Sequence, residues 1–321
     1  YEHYLAGRQA TESAEARRKF EAAINLDPDF ALAYFALSQQ FEVDERKRWA
    51  EEAWERRERL TVIERLRLEA WRMRLANRLG DARKTYEEIL DRWPDDLQTI
   101  QDLALTLYLY GNDQEALRVT ERGLVMYPDD QDLIDWRIQT LISLWQPSKA
   151  IDAVRSLPER FATQSGYREH MGMAFLQLGQ PETARDHFRR TLEITPGIQT
   201  ASSDLAFTSF CEGNVEDAIA QTETLLQSEA LSLNERKALL GLNAYYLPGL
   251  GELHRLAGRA QLAGEALDQI RALPFKSDRD RWNREYGIGT LLLRWGHPER
   301  ALAIARELAR ISHDGPTEQR G

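Results

Sequence analysis

Cysteine is nearly absent from this sequence: Cys211 is the single one in 321 residues. One cysteine excludes an intrachain disulfide framework and any metal cluster built only of cysteines within one chain. It is compatible with a reducing compartment, and we expect a cytoplasmic location. We interpret Cys211 itself as a small buried or half-buried apolar side chain.

Long apolar runs are also lacking. No stretch approaches the roughly 18 uninterrupted apolar residues of a membrane span, and no signal peptide is present. We therefore predict no membrane partner. The first residue is Tyr1 rather than Met, so we interpret the chain as a piece of a longer polypeptide.

Positive charge is in deficit, with 42 Lys and Arg against 52 Asp and Glu, a net charge of −10 and a pI near 5.3. Affinity for a polyanion needs clustered basic residues on one face, so we predict no nucleic-acid partner for this chain. Hydrophobic residues make up 42% and charged residues 29%, a balance that favours a folded protein.

Catalytic motifs are missing as well. The sequence has no phosphate-binding glycine loop followed by Lys-Ser or Lys-Thr, no His-Glu-x-x-His and no Gly-x-Ser-x-Gly. The six histidines are scattered, and no two lie one helical turn apart. We predict that the chain holds no cofactor and no metal and is not an enzyme.

What the sequence does contain is a repeat of 34 residues. Ala16 and Ala50 are one period apart, and Ala82, Ala116, Ala150, Ala184 and Ala218 continue it. The step from Ala50 to Ala82 is two residues short of the period. Large side chains follow four residues after an alanine, at Phe20, Trp54, Tyr86 and Phe188. This spacing puts a small and a large residue on one helical face, so we interpret them as core.

Prolines and glycines mark the ends of the repeated unit. Pro28, Pro94, Pro128 and Pro196 each fall twelve residues after a repeat alanine, where a proline ends a helix. Gly111, Gly179 and Gly213 each fall five residues before one, where a glycine suits a tight turn between two helices. The unit is therefore helix, turn, helix, stop.

The segments 111–128 and 179–196 combine these marks and resemble the tetratricopeptide repeat family. The resemblance implies an all-α fold, a right-handed superhelical solenoid of about nine helix-turn-helix hairpins. We expect one continuous repeat domain over 1–313, with a partial first hairpin, and a disordered tail over 314–321.

The register departs from the pattern in three places. Gly80 lies too close to Ala82, which predicts a remodelled turn in the third unit. In the fifth unit Trp145-Gln146-Pro147 replaces the glycine turn, and Pro158 predicts an early end of the second helix. In the eighth unit Pro248 lies inside a helical pattern and predicts a kinked or broken helix.

The resemblance also implies a groove lined by the first helix of each hairpin. Family positions read onto units four to seven predict a peptide-binding lining of ten residues: Asp102, Leu105, Tyr108, Asp135, Trp136, Glu169, His170, Met173, Asp204 and Phe207. In the third unit Arg67, Trp71 and Arg74 would face inward, but the register slip leaves that unit out of the prediction.

This lining is aromatic and acidic, which suits a protein or peptide segment of basic and apolar character. Family members that clamp a peptide's terminal carboxylate use Lys, Asn and Arg at these positions, and units four to seven have none there. Two alternatives to this peptide-binding lining stay open. The aromatic side chains could serve only to pack neighbouring repeats together. Separately, His170 could be a hydrogen-bonded structural residue that contacts no ligand.

The segments 4–8, 22–34 and 61–66 resemble the repeat regions of bacterial multidomain signalling and regulatory proteins. Thr61 and Glu64 also have the spacing of a helix capping box. We therefore predict an interaction scaffold that serves as the docking or sensory part of a bacterial signalling or transcriptional regulator. The alternative is a small-molecule sensor or an accessory subunit of an enzyme complex.

Overall fold

The computed structural model describes residues 1–10, 13–39, 43–158, 164–228, 236, 239–240, 249–274 and 278–314. Within these ranges the chain is helical, with eighteen α-helices, one short 3-10 helix at Arg57–Arg59 and no strand. The predicted all-α fold of about nine hairpins is confirmed. The chain forms two compact units, Tyr1–Ala150 and Ile151–Gly321.

The first unit contains nine helices and the beginning of a tenth. They are α1 (Glu2–Gln9), α2 (Ser13–Leu26), α3 (Ala31–Ser38), α4 (Val43–Glu55), α5 (Val62–Leu75), α6 (Leu79–Arg92), α7 (Leu97–Leu109), α8 (Asp113–Met126), α9 (Gln131–Ser143) and α10 (Pro147–Arg155). From α1 to α9 each helix contacts the next one in the chain, and α7 also contacts α9. The first helices of the fourth and fifth hairpins therefore lie side by side.

The second unit repeats this arrangement. Beyond the end of α10 it contains α11 (Ser165–Gln177), α12 (Pro181–Ile194), α13 (Gln199–Cys211), α14 (Val215–Leu226), α15 (Leu250–Leu256), α16 (Ala260–Ala272), α17 (Asp278–Arg294) and α18 (Pro298–Asp314). The first helices α11 and α13 contact each other, as α7 and α9 do in the first unit.

The small-large pairs of the repeat form the core between helices. All seven repeat alanines are at most 3% exposed. Phe20, Tyr86 and Phe188 are also fully buried, and Trp54 is partly buried in the core of α3, α4 and α5. An alanine lets the neighbouring helix approach closely, and the aromatic ring four residues later fills the remaining space. The interpretation of these residues as core is confirmed.

A left-handed residue ends the first helix of each hairpin from the third onwards in the described ranges. These residues have φ between 55° and 81° and are Asn77, Gly111, Trp145, Gly179, Gly213, Gly258 and Gly296. The N–H of the next residue bonds back to a helix carbonyl, as from Asn112 to Leu107 at 2.9 Å. This is the Schellman arrangement, and it satisfies carbonyls at the helix end.

The two irregular turns keep this geometry without glycine. In the third unit Asn77 takes the left-handed conformation, and Gly80 lies inside α6. In the fifth unit Trp145 takes it, at a position where a side chain other than Asn or Gly is strained. The turn expected to be remodelled at Gly80 therefore differs in residue type and not in backbone form.

Other local predictions have clear outcomes. Thr61 and Glu64 form the predicted capping box at the start of α5. Helix α10 ends at Arg155, ahead of Pro158. Pro248 lies outside the described residues, and α15 begins two residues later. Helix α18 includes Asp314, and the rest of the predicted tail, 315–321, lies outside the described residues. One continuous domain over 1–313 stays a prediction.

Candidate functional site

All ten predicted groove residues lie on first helices of hairpins. Five of them belong to the first unit, on α7 and α9: Asp102, Leu105, Tyr108, Asp135 and Trp136. The other five belong to the second unit, on α11 and α13: Glu169, His170, Met173, Asp204 and Phe207. Eight of the ten are partly exposed, and the two aspartates Asp102 and Asp204 are buried, each at 8% exposure.

In the first unit Asp102 is neutralised within the chain. Its Oδ1 lies 3.2 Å from Nη1 of Arg74, which projects from α5 and stacks over the ring of Trp71 at 4.3 Å. Burial raises the pKa of Asp102, and the guanidinium groups of Arg74 and Arg67 oppose this rise. The sequence predicted that Asp102 would contribute negative charge to the lining. In the structure Arg74 already balances that charge.

A second arginine on α5, two helical turns before Arg74, also pairs with an aspartate. Arg67 forms a bidentate ion pair with Asp96, the residue that precedes α7, and its Nε lies 3.3 Å from Oγ1 of Thr99. The sequence prediction left these arginines out because of the two-residue slip at Ala82. Arg74 lies 28 residues before Asp102, and Arg67 lies 29 residues before Asp96. This similar spacing of opposite charges was the signal in the sequence that could have identified both ion pairs.

The aromatic residues of the first unit meet across two repeats. The rings of Tyr108 on α7 and Trp136 on α9 lie 5.7 Å apart and are tilted by 46°. Both side chains are half-buried, as is Leu105 one turn before Tyr108. Asp135 accepts a hydrogen bond from Gln139 at 2.6 Å. The two rings thus contact each other between neighbouring repeats, and both keep part of their surface accessible.

In the second unit two carboxylates lie near each other on adjacent first helices. Burial, and then the charge of Glu169, raise the pKa of Asp204 well above the ordinary aspartate value. Glu169 accepts a hydrogen bond from the Thr200 hydroxyl at 3.1 Å. Among the described residues, no hydrogen bond or ion pair reaches the Asp204 carboxylate. The Asp204 carboxyl group thus has no cationic partner in this part of the chain.

The helices that carry these carboxylates also carry aromatic side chains. Phe207 and Phe210 on α13 stack at 6.1 Å with nearly parallel rings, and both are half-buried. Phe207 lies three residues after Asp204 and therefore on the same helix face. On α11, His170 contacts the ring of Tyr167 at 6.3 Å. Met173 is half-buried one turn further along.

Several simpler site types are not found in the described part of the chain. No group of three or more His, Cys, Asp or Glu side chains there is placed to hold a metal ion. Every helix in those ranges is too short or too polar to cross a lipid bilayer. Cys211, predicted to be buried or half-buried, is exposed at the last position of α13.

Comparison with known proteins identifies the fold. No protein-family model matches the sequence, and no curated protein matches it. Solved structures do match. A tetratricopeptide repeat protein from Parabacteroides merdae superimposes with a TM-score of 0.54 at 15% identity, covering 80% of this chain and 94% of that one.

Two further structures agree with this match. PilW, a type IV pilus biogenesis factor, gives a TM-score of 0.52 at 19% identity and covers 73% of this chain and 99% of its own. The Cut9-Hcn1 hetero-tetramer gives 0.56 at 17% identity and covers 97% of this chain, which spans 58% of that chain. This chain therefore has the tetratricopeptide repeat fold, as the sequence resemblance predicted.

Proposed function

We propose that this chain is an interaction scaffold that binds a protein segment of basic and apolar residues on its first-helix faces. The observation that carries the proposal is the second unit's combination of stacked, half-buried Phe207 and Phe210 with the buried carboxylate of Asp204. Aromatic rings give large contact area at low entropic cost, and carboxylates set the preference for positive charge.

The first-helix face of the first unit contributes mainly apolar contact in this proposal. Tyr108 and Trp136 form a half-buried aromatic pair there, and Asp102 on the same helix as Tyr108 is held by Arg74. Tyrosine and tryptophan are frequent anchors of protein interfaces. We therefore expect charge selectivity to reside in the second unit and apolar affinity in both.

The similar structures support a role in protein assembly. Cut9 was crystallised as a hetero-tetramer with Hcn1, and PilW is a factor of type IV pilus biogenesis. The sequence resemblance of 4–8, 22–34 and 61–66 adds the context. We propose that the scaffold is the docking or sensory part of a bacterial signalling or transcriptional regulator, which accords with a cytoplasmic location.

A cleft on the other side of the first unit bears on the small-molecule alternative. It has a volume of about 330 Å³ and lies between α6, α7 and α8, with Ile100, Leu103 and Leu107 at its base. Four charged residues line it, Glu87, Asp91, Glu115 and Arg122. Glu87 is paired with Arg83 at 2.6 Å and Glu115 with Arg118. Since two of these four charges are already paired within the chain, the cleft gives the small-molecule alternative little support.

A peptide titration tests the proposal. The probes are two fluorescein-labelled dodecapeptides, one alternating Leu with Arg and one alternating Leu with Glu, and fluorescence anisotropy measures their binding. We expect the Leu/Arg peptide to bind and the Leu/Glu peptide to bind at least tenfold more weakly, with affinity falling as salt rises. Equal or tighter binding of the acidic peptide contradicts the proposed function.

Variants locate the binding surface. Phe207→Ala should weaken the Leu/Arg peptide at least fivefold, because truncating an aromatic anchor usually costs more than about 1 kcal/mol. The matched control is Leu262→Ala, which truncates a side chain that is 38% exposed on α16, outside the proposed surface. Equal effects of the two substitutions would place the binding elsewhere.

A further inference from the structure

Asp102 and Asp204 occupy the same position of the repeat in different units. They are three periods of 34 residues apart, each fourteen residues before a repeat alanine, Ala116 and Ala218. Each lies on the first helix of its hairpin, and each is 8% exposed. The chain therefore places an aspartate at this repeat position twice, in two different surroundings.

Around Asp102 the preceding first helix supplies positive charge. Arg74, 28 residues earlier, places Nη1 3.2 Å from the Asp102 carboxylate, and the two side chains are 12% and 11% exposed. Arg67 on the same helix also acts on this carboxylate. Charge-assisted hydrogen bonds between arginine and a carboxylate are among the stronger ones in proteins, so Asp102 is satisfied within the chain.

Around Asp204 the equivalent positions carry no positive charge. Glu169 stands where the first unit has Arg67, and Leu176 stands where it has Arg74, again 28 residues before the aspartate. Leu176 is half-buried and offers no hydrogen bond to a carboxylate. No described residue donates a hydrogen bond to the Asp204 carboxylate. The nearby Glu169 is also acidic, so its charge does not stabilise an ionised Asp204.

A buried carboxylate without a donor is costly, because it loses hydration and gains nothing in exchange. A ligand that donates hydrogen bonds would complete such a group, and the first unit shows that a guanidinium fits this position of the repeat. The half-buried ring of Phe207, three residues after Asp204 on the same helix face, provides an apolar surface on which a planar guanidinium can lie.

We propose that Asp204, together with Glu169, is the receptor for an arginine side chain of the bound partner segment. The partner's guanidinium takes the place that Arg74 fills at Asp102. The inference rests on the proposed function, and it adds the chemical group that is recognised and the residue that recognises it.

A matched pair of peptides tests the recognition of the guanidinium. The Leu/Arg dodecapeptide is compared with one in which every arginine is replaced by citrulline, which keeps the shape and removes the charge. We expect citrulline to weaken binding to the parent protein at least tenfold. Asp204→Asn should weaken the arginine peptide at least tenfold and leave the citrulline peptide within twofold.

An internal cation gives a second test that needs no peptide. Leu176→Arg introduces a guanidinium at the position of Arg74 and should lower the pKa of Asp204, read by carboxyl 13C NMR, because a nearby cation favours the ionised form. It should also block the arginine peptide at least tenfold. The control is Leu178→Arg, which adds the same charge two residues on, at an exposed position off this helix face.

The outcomes separate the two proposals. Binding of the arginine peptide that Asp204→Asn and Leu176→Arg leave unchanged overturns the Asp204 receptor and keeps the scaffold. A Leu176→Arg variant that leaves the pKa of Asp204 unchanged also overturns the receptor, since the equivalence with Arg74 then fails. No binding of the arginine peptide to the parent protein overturns the proposed function, and the receptor with it.

Discussion

Gly172 on α11 faces the ring of Phe188 on α12 at a distance that admits no side chain. A Cβ placed on Gly172 would lie 2.6 Å from Cζ and 2.8 Å from Cδ1 of this ring. The two helices of this hairpin therefore approach as closely as they do because position 172 is glycine and because Phe188 is fixed in the core.

Gly172→Ala should destabilise the protein. The added methyl group clashes with a fully buried ring, and overpacking of this kind costs about 1–3 kcal/mol, against a gain of about 0.5–1 kcal/mol from replacing a helical glycine. The control Gly264→Ala, in α16, meets no atom within 4 Å and should stabilise by that smaller gain. Urea unfolding curves measure both, and the same sign for both variants contradicts the packing described.

Trp145→Gly should stabilise the first unit. Trp145 has φ of 55°, and its side chain is 67% exposed, so little packing is lost on its removal. A left-handed backbone costs an L-residue about 1–2 kcal/mol, while the freer unfolded chain of glycine costs about 0.4–1 kcal/mol. We expect a net gain of between about 0 and 1.6 kcal/mol in urea unfolding. Asn77→Gly, where Asn tolerates this conformation, should gain less.

Arg74→Met should destabilise the first unit by roughly 3 kcal/mol, the lower end of the range for breaking a buried ion pair. The substitution keeps a long apolar stem but leaves the buried Asp102 without its cation. Adding Asp102→Asn should recover part of the loss, because the unpaired charge is then gone. A double-mutant cycle measures this coupling. Additive losses would mean that the two residues do not interact.

Asp204→Asn should make the stability of the second unit less dependent on pH. Burial and Glu169 raise the pKa of Asp204 in the folded state, so the folded protein favours the protonated form. Its contribution to stability is fully present below the unfolded aspartate pKa and is lost as pH rises through the folded pKa. The variant should thus be more stable than the parent at pH 7, and the difference in their free energies of unfolding should vanish near about pH 4.

Urea titrations at several pH values between 4 and 8 check this expectation. The control Glu182→Gln removes an exposed carboxylate from the same unit and should leave the profile unchanged. If the parent and Asp204→Asn differ equally at all pH values, then ionisation of Asp204 is not the cause.

Much of the fold followed from the sequence alone, because its determinants are local. The alanine register and the aromatic residue four positions later state which helix faces are buried, and the prolines state where hairpins end. Thr61 and Glu64 form the predicted capping box, which depends only on residues three apart. The placement of the ten groove residues on first helices followed from the same register.

Only the tertiary structure decided which charges meet. Asp102 and Asp204 have the same register position, yet Arg74 neutralises one and no described residue neutralises the other. That difference depends on the side chain that a neighbouring helix presents about 28 residues away, which no local period encodes. The left-handed backbone of Trp145 was also decided by the tertiary structure. The geometry of the hairpin imposes a positive φ that tryptophan disfavours.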